Sequence, residues 1–320
     1  MILGLDIGGA NTKAASADGS FARSIYLPLW EGTPLNELLQ RWAELDPEAV
    51  AVVMTGELAD CFPSKLVGIQ SLISLVKNAF GCPIHFWGQS GFQWTDPQEL
   101  AGANWSASAT FLCREEGGGI FVDMGSTTTD LIPMLGRPLA ARTDYQRLAR
   151  GELVYTGLLR TAVGSMLSAA MIQGARIPLS PELFAIAADV YLALGDISEE
   201  EYSCAAPDGR GKGREDALRR LARMVCSDLE EIGEDAALAI AAQARDFQLR
   251  MIASALHPLS KEHGLARVVA AGAGEIVVAR AAALAGLSCS RLSKIYGREI
   301  SNVFPAFAVA RLLESQKEGR

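Results

Sequence analysis

The stretch MILGLDIGGANTKAA, residues 1–15, joins an apolar run to a turn rich in glycine and hydrogen-bond donors. Residues 2–7 predict a buried strand that contains one acid, Asp6, and a buried carboxylate is unfavourable unless a partner compensates for it. Gly8 and Gly9 then allow a ligand to approach the backbone closely. This combination suits a phosphate group with its metal ion, and an ordinary β-hairpin with a Gly-Gly turn is the alternative that this segment leaves open.

The composition is that of a globular enzyme. The 320 residues, 49% hydrophobic and 21% charged, are enough for two domains of ordinary size with substantial cores. The net charge of -8 argues against a nucleic-acid partner, because phosphate backbones select for clustered Lys and Arg. The short basic run at 210–214 is interrupted by glycines and predicts a solvated loop.

The cysteines and the apolar stretches indicate a cellular compartment. The six cysteines form neither a CxxC pair nor a zinc-site spacing, which is typical of thiols in a reducing environment. The chain begins directly with a strand pattern, without the charged segment of a signal peptide. The longest apolar stretch, 268–289, contains Glu275 and Arg280, so we expect no membrane span. We therefore expect a cytoplasmic protein with no membrane partner, and the oligomeric state stays open.

Strand and helix patterns alternate along the chain, which predicts an α/β protein. Strand patterns lie at 2–7, 12–16, 21–27, 49–54, 84–87 and 266–274. Helical patterns begin near residues 33 and 64 and cover 97–113, 152–166, 181–194, 215–232, 234–256 and 304–313. We expect one α/β domain at 1–110, with a C-terminal helix at 303–320 packing back on it. A second α/β domain at 117–302 is expected to carry a helical segment at about 152–256.

Two further motifs share the character of the opening stretch. The sequence FVDMGSTTTDLIPM at 121–134 again places an acid at a strand end, Asp123, before Gly125 and a hydroxyl-rich turn. The sequence VVAAGAGE at 268–275 predicts a strand, a glycine turn and a helix whose N-terminus can hold an anion. Two matching acidic hairpins are far more specific than one.

The order and spacing of the three motifs resemble those of the superfamily that contains acetate and sugar kinases, heat-shock chaperones and actin. The individual residues of these and further stretches resemble its hydantoinase/oxoprolinase-like branch, in particular proteins of the tetrahydromethanopterin-linked one-carbon pathway that serve methanofuran biosynthesis. The matching stretches are GLDIGGANTKAA, MTGELADCF, GANW, VDMGSTTTDLIP, GELVYTGLLRT, ADVYLALGDI and AAGAGE, and they extend over nearly the whole chain.

The resemblance implies two actin-like (ribonuclease H-like) α/β domains with a central cleft that both hairpins face, the second domain carrying a helical insertion. It also implies a transferase of methanofuran or methylofuran biosynthesis. Such an enzyme condenses an (aminomethyl)furanylmethyl diphosphate with the phenol oxygen of a tyramine- or tyrosine-derived acceptor and releases diphosphate with the help of Mg²⁺.

This chemistry assigns roles to residues of the three motifs. Asp6 and Asp123 are expected to hold Mg²⁺ directly or through water, because magnesium favours a few carboxylates together with phosphate oxygens. Lys13 is expected to act beside them in catalysis. The expected phosphate-binding residues are Gly8, Gly9, Asn11, Thr12, Gly125, Ser126, Thr127, Gly272 and Gly274.

The phenol must lose a proton, and several acids are candidates for the base or for substrate contact. Asp130 is the first candidate, and the alternative is a carboxylate bound to the hydroxyls of its own turn. Glu57 and Glu152 each follow a glycine and are candidates for contact with the substrate. For both, a charge placed at a helix N-terminus is the simpler alternative.

Further residues are candidates for contact with the diphosphate or with the furan and phenol rings of the substrates. Lys65 and Arg160 are candidates for the diphosphate, although Lys65 equally suits an exposed first helical turn. Tyr155 and Trp105 can stack on a furan or phenol ring, although aromatic residues in helical patterns are usually core.

Two other functions remain open at this level. The first is an ATP-dependent small-molecule kinase, because the superfamily most often binds ATP, and ATP is expected only under that interpretation. The second is a non-catalytic, ATP-responsive module that binds a partner protein. The chain lacks the long charged tail or exposed apolar helix that would indicate such a partner.

Overall fold

The computed structural model describes residues 1–319. The chain divides into two compact units. Unit 1 consists of Met1–Phe121, Ile132–Glu152 and the residues from Ser290 onwards. Unit 2 consists of Val122–Leu131 and Leu153–Cys289.

Strands and helices alternate through the described residues. The strands are β1 (Ile2–Gly8), β2 (Asn11–Ser16), β3 (Ala22–Tyr26), β4 (Ala49–Thr55), β5 (Ile84–Phe86), β6 (Gly119–Met124), β7 (Thr129–Met134), β8 (Leu153–Val154), β9 (Ala169–Ile172), β10 (Ala175–Pro178), β11 (Arg267–Ala271) and β12 (Ser288–Arg291). The helices are α1 (Leu35–Ala43), α2 (Lys65–Ala79), α3 (Asn104–Glu115), α4 (Asp144–Arg150), α5 (Val163–Met166), α6 (Ala187–Ala193), α7 (Arg214–Arg223), α8 (Leu229–Ile232), α9 (Glu234–His263), α10 (Glu275–Leu284), α11 (Leu292–Tyr296), α12 (Arg298–Asn302) and α13 (Phe304–Lys317).

The first five-stranded sheet is built around β1 and has the strand order β3-β2-β1-β4-β5. β1 pairs antiparallel with β2 and parallel with β4, so the chain reverses once and then crosses over. Leu3, Leu5 and Ile7 are fully buried in the core cluster that α1 and α2 also line. The opposite face of β1 meets α13, because a Cβ added to Gly4 would lie 1.8 Å from the Ala306 carbonyl oxygen. The C-terminal helix thus lies directly on the N-terminal strand.

The second five-stranded sheet has the strand order β12-β11-β6-β7-β8. A separate hairpin joins β9 to β10, and its turn places Gln173 and Gly174 at positive φ. Unit 2 also contains a buried ion cluster in which Arg220 bridges Asp189 (2.7 Å) and Asp208 (3.1 Å). The Tyr202 hydroxyl donates a hydrogen bond to Asp189 (3.0 Å), so this buried carboxylate has both a charged and a neutral partner.

The predicted α/β class is confirmed, with two five-stranded sheets and helices. The first five predicted strands and the helices that begin near residues 33 and 64 lie where the sequence predicts them. The helix predicted at 152–166 is wrong, since that segment contains β8, a loop and only the four residues of α5. The helix predicted at 181–194 begins only at Ala187, and the hairpin of β9 and β10 was not predicted.

Among the residues that the structure describes, no helix is long and apolar enough to cross a membrane.

The contact between β1 and α13 predicts a strong effect of one methyl group. Gly4→Ala is expected to lower the free energy of unfolding by about 1–3 kcal/mol, because strand and helix must separate to admit the added carbon. Gly81→Ala is the matched control, since an added Cβ there meets no atom within 4 Å. Thermal unfolding followed by circular dichroism measures both. Equal melting temperatures for Gly4→Ala and the parent protein would contradict the packing described here.

Candidate active-site elements

Asp6 is paired with a cation on the neighbouring strand. The register of β1 and β2 places Asp6 opposite Lys13, and Asp6 Oδ2 lies 3.6 Å from Lys13 Nζ. Asp6 is only 3% exposed, so the ammonium group provides compensation that a buried carboxylate needs. The acid predicted within the first strand is therefore stabilised by a lysine seven positions later in the same hairpin.

The turn that follows Asp6 is open on one side. A Cβ on Gly8 would lie 2.8 Å from the Asn11 carbonyl oxygen, whereas a Cβ on Gly9 would meet no atom within 4 Å. Asn11 begins β2. The Thr12 side chain is fully buried in the sheet, and among the described residues its hydroxyl has no hydrogen-bond partner. The phosphate-binding roles of these residues stay predictions.

Glu57 lies just beyond the end of β4, next to the same turn. β1 and β4 are parallel, and the register pairs Gly8 with Thr55, so both carboxyl ends meet at one edge of the sheet. The Gly56 N–H donates a hydrogen bond to the Ile7 carbonyl (2.9 Å), and a Cβ on Gly56 would lie 3.1 Å from the Gly8 carbonyl carbon. This close backbone contact brings the chain at Glu57 beside the Gly8 turn.

The Glu57 carboxyl has a strongly raised pKa. It is 2% exposed, and burial raises its pKa to about 7. The backbone N–H groups of Glu57 and Gly102 and the Lys65 ammonium lower the pKa, and Asp144 raises it. Among the described residues, Glu57 Oε2 has no hydrogen-bond partner. At neutral pH this group can therefore exchange a proton.

Tight contacts hold the surroundings of Glu57. A Cβ on Gly68, in the first turns of α2, would lie 2.1 Å from the Glu57 carbonyl oxygen. A Cβ on Gly102 would lie 2.9 Å from Asp144 Oδ1, which also accepts a hydrogen bond from Arg147 (2.9 Å). The helix α2 and the loop at Gly102 therefore approach at distances that only glycine allows.

Asp144 and Arg147 were not predicted from the sequence to contribute to the site. The Arg147 guanidinium is buried and stacks 5.0 Å from the Trp105 ring centre, so Trp105 is a core residue with a cation on its face. The only available signal was the spacing of an acid and a base three positions apart at the start of α4. Nothing in that pattern indicates the neighbouring loop at Gly102.

Two other predicted substrate contacts have different surroundings. Glu152 is buried, but its Oε2 accepts a hydrogen bond from the Ala141 N–H (2.7 Å), and its Oε1 lies 3.9 Å from Arg150. The Glu152 carboxylate therefore stabilises the loop before α4 through this hydrogen bond. Tyr155 is 70% exposed, so its ring is available to solvent.

In unit 2, Asp123 lies near the end of β6 against the third motif. A Cβ on Gly272, where φ is +85°, would lie 2.2 Å from Asp123 Oδ1. The Gly274 N–H donates a hydrogen bond to the Met124 carbonyl (2.9 Å), and a Cβ on Gly274 would lie 2.3 Å from Met124 Sδ. Close packing on β6 thus explains both glycines, and the Gly274 amide is already engaged.

The turn after Asp123 is covered by the loop at 157–160. The Leu158 N–H donates to the Gly125 carbonyl (2.9 Å), and the Arg160 N–H donates to the Ser126 carbonyl (2.8 Å). The Arg160 guanidinium donates to Thr127 Oγ1 (3.1 Å). The structure therefore brings together Gly125, Ser126, Thr127 and Arg160, which the sequence predicted separately. This covering loop is also why the predicted helix at 152–166 does not form.

A buried glutamine on α9 supports that loop. Gln248 Nε2 donates to Thr156 Oγ1 (2.6 Å) and to the Gly157 carbonyl (2.8 Å), and the Tyr191 hydroxyl donates to Gln248 Oε1. A Cβ on Gly157 would lie 2.4 Å from the Thr127 nitrogen. Gln248 had no sequence signal, because one amide in a 30-residue helix carries no pattern. Asp130, the first candidate for the base, lies in β7 opposite Leu153 and is buried.

Within residues 1–319, no group of three or more His, Cys, Asp or Glu side chains is arranged to hold a metal ion. Magnesium does not require such a group, because it keeps several waters and binds one or two carboxylates together with phosphate oxygens. The carboxylate oxygens of Asp6, in unit 1, and of Asp123, in unit 2, are ligand types that suit magnesium.

Comparison with known proteins agrees with the motifs. The family model described as hydantoinase/oxoprolinase matches residues 48–316. The chain is 38% identical over 327 aligned residues to the (4-{4-[2-(gamma-L-glutamylamino)ethyl]phenoxymethyl}furan-2-yl)methanamine synthase of Methanocaldococcus jannaschii, covering 99% of this chain and 98% of that protein. The protein of the same name from Methanococcus vannielii is 35% identical, covering 62% of this chain and 91% of that protein.

Among solved structures, a ROK family glucokinase from Streptomyces griseus in complex with glucose and AMPPNP is similar, with a TM-score of 0.49 and 13% identity. The match covers 97% of this chain and 98% of that one. The family model and the full-length relative confirm the branch that the motifs predict. This chain belongs to the hydantoinase/oxoprolinase family.

Proposed function

We propose that this chain is a transferase of methanofuran or methylofuran biosynthesis that forms the phenoxymethyl-furan ether for which its relatives are named. The observation that carries the proposal is 38% identity across 99% of the chain to a synthase of that product. The proposed substrates are both small molecules, an (aminomethyl)furanylmethyl diphosphate and γ-glutamyltyramine or another tyramine- or tyrosine-derived phenol.

The reaction forms one carbon–oxygen bond, breaks another and transfers one proton to a base. The phenol oxygen forms a bond to the furanylmethyl carbon, the bond from that carbon to the diphosphate oxygen breaks, and the phenolic O–H bond breaks. The electron pair of the broken carbon–oxygen bond leaves with diphosphate, and the proton passes to a base. The furan oxygen stabilises positive charge on the reacting carbon, so the enzyme must above all stabilise the leaving group.

Unit 2 contributes a site suited to the leaving group. The guanidinium of Arg160 lies against the turn at 125–127, where it donates to Thr127 Oγ1, and it supplies cationic donors in this region. Charge-assisted hydrogen bonds from Arg to phosphate oxygens are stronger than neutral ones. Because the loop at 157–160 already binds the carbonyl groups of Gly125 and Ser126, the turn is held in place before the substrate arrives.

Asp6 and Asp123 are proposed to hold Mg²⁺, each directly or through a water molecule. When bound, this ion would offset the charge of the diphosphate. Lys13 forms an ion pair with Asp6 and provides a cation beside the Gly8 turn. The proposal assigns no role to a nucleotide.

The activity is tested with purified protein, 5-(aminomethyl)furan-2-ylmethyl diphosphate, γ-glutamyltyramine and Mg²⁺. We expect one diphosphate released for each ether formed, without nucleotide, as measured by mass spectrometry and a coupled diphosphate assay. Release of ADP from ATP with a furan alcohol, and no ether from the diphosphate, would instead favour the kinase.

The two acids are tested by replacement with the isosteric amide. Asp6→Asn and Asp123→Asn are each expected to lower kcat/KM by at least about 100-fold, because loss of a charged ligand costs several kcal/mol in a buried site. Asp235→Asn, at an exposed position in the first turn of α9, is the control and should retain activity. Circular dichroism checks the fold. Full activity in both folded variants would remove the proposed metal site.

Arg160 is tested by its effect on donor binding. Arg160→Ala is expected to raise KM for the furan diphosphate about 10- to 100-fold, since a hydrogen bond to a charged group contributes about 1.5–3 kcal/mol. Arg176→Ala, an exposed arginine on β10, is the control. Steady-state kinetics with varied donor provide the measurement. An unchanged KM for the donor would exclude Arg160 from the diphosphate site.

A further inference from the structure

We propose that Glu57 is the general base that takes the phenolic proton of the acceptor during ether formation. This inference rests on the proposed function and assigns the base that the sequence left open. It is carried by the position of Glu57 at the joint carboxyl edge of β1 and β4 and by a buried carboxylate oxygen without a protein partner.

The three buried acids described in unit 1 differ in what already binds them. Asp6 Oδ2 lies 3.6 Å from the Lys13 ammonium, with which it forms an ion pair. Glu152 accepts a hydrogen bond from the Ala141 backbone and lies near Arg150. Glu57 Oε2 has no hydrogen-bond partner in the described chain, and Glu57, unlike Asp6 and Glu152, forms no ion pair there. A buried acceptor left open in this way is unfavourable for folding and is suited to a proton donor that arrives with a substrate.

The groups around Glu57 set the pKa of its carboxyl. One face meets α2, whose first residue, Lys65, carries a positive charge, and the loop at Gly102 supplies a backbone N–H. From α4, Asp144 adds a negative charge, which Arg147 partly neutralises. The net effect is a pKa of about 7, between that of an ordinary carboxyl and that of a phenol at about 10. At pH 7 about half of such a base is ionised, and its carboxylate is a far better proton acceptor than that of an exposed glutamate.

The proton and electrons balance without any additional reactant. The phenolic O–H bond breaks as its proton moves to Glu57 Oε2. The oxygen lone pair forms the new bond to the furanylmethyl carbon, and diphosphate leaves with the electron pair of the broken bond. Glu57 then returns its proton to solvent before the next turnover.

The decisive test compares two acceptors in Glu57→Gln and in the parent enzyme. The first acceptor is γ-glutamyltyramine, and the second carries fluorine on both ring carbons beside the hydroxyl, so that its phenol ionises near neutral pH. With γ-glutamyltyramine, the variant should lose about 10²- to 10⁴-fold in kcat. With the fluorinated acceptor at pH 8, most of this loss should disappear, because the acceptor then needs no base.

The pH dependence gives a second readout. In the parent enzyme, kcat/KM for γ-glutamyltyramine should rise between pH 6 and pH 8 with an inflection near 7, and Glu57→Gln should lack this inflection. Because folding raises the pKa of Glu57, its favourable contribution to stability is present at low pH and is lost as the pH rises through about 7. Glu57→Gln should therefore melt at a higher temperature than the parent at pH 8, and this advantage should shrink at pH 6.

The controls separate this inference from the proposed function. Glu37→Gln, exposed on α1 in the same unit, should leave every measurement unchanged. If the parent enzyme forms no ether with either acceptor, the proposed function fails. If the parent is active and Glu57→Gln loses activity equally with both acceptors, or remains within about threefold of the parent with γ-glutamyltyramine, Glu57 is not the base. Rescue by the fluorinated acceptor in Asp130→Asn instead of Glu57→Gln would assign the base to Asp130.

Discussion

The burial of acids at the ends of hydrophobic strands is the constraint on which the candidate site depends. A carboxylate removed from water must gain a cation, gain hydrogen bonds or accept a proton. In unit 1 the chain uses two of these solutions at one edge of one sheet. Asp6 is compensated by Lys13 from the next strand, whereas Glu57 has its pKa raised to about 7 by burial. The parallel pairing of β1 and β4 places Asp6 and Glu57 near the same edge of the sheet.

Close backbone contacts keep these groups in place. Gly4 lets α13 lie on β1, Gly68 lets α2 touch the Glu57 carbonyl, and Gly157 lets the covering loop rest on the turn at 125–127. In each case an added methyl group would overlap a backbone atom, so helix, loop and strand fix one another through atoms that have no rotamer freedom. A site built in this way is organised before the substrate binds, which is what charge stabilisation in catalysis requires.

The sequence predicted those features that depend on local pattern. Alternating apolar runs gave the strands of the first sheet, and the two acidic hairpins identified Asp6 and Asp123 together with their glycine turns. Features that depend on tertiary contacts could not be predicted from the sequence. The helical pattern at 152–166 is overridden because its backbone N–H groups bind the carbonyls of Gly125 and Ser126. Likewise, nothing local marks Gln248, Asp144 or Arg147, whose roles arise only from the loops that fold against them.

The central chemical step is attack of the phenol oxygen on carbon, with the diphosphate leaving intact. The most direct measurement uses γ-glutamyltyramine with ¹⁸O in its hydroxyl group and follows the label by mass spectrometry. The account predicts ¹⁸O in the ether oxygen and unlabelled diphosphate. A labelled phosphate ester of the phenol, which forms when the phenol oxygen attacks phosphorus instead of carbon, would contradict it.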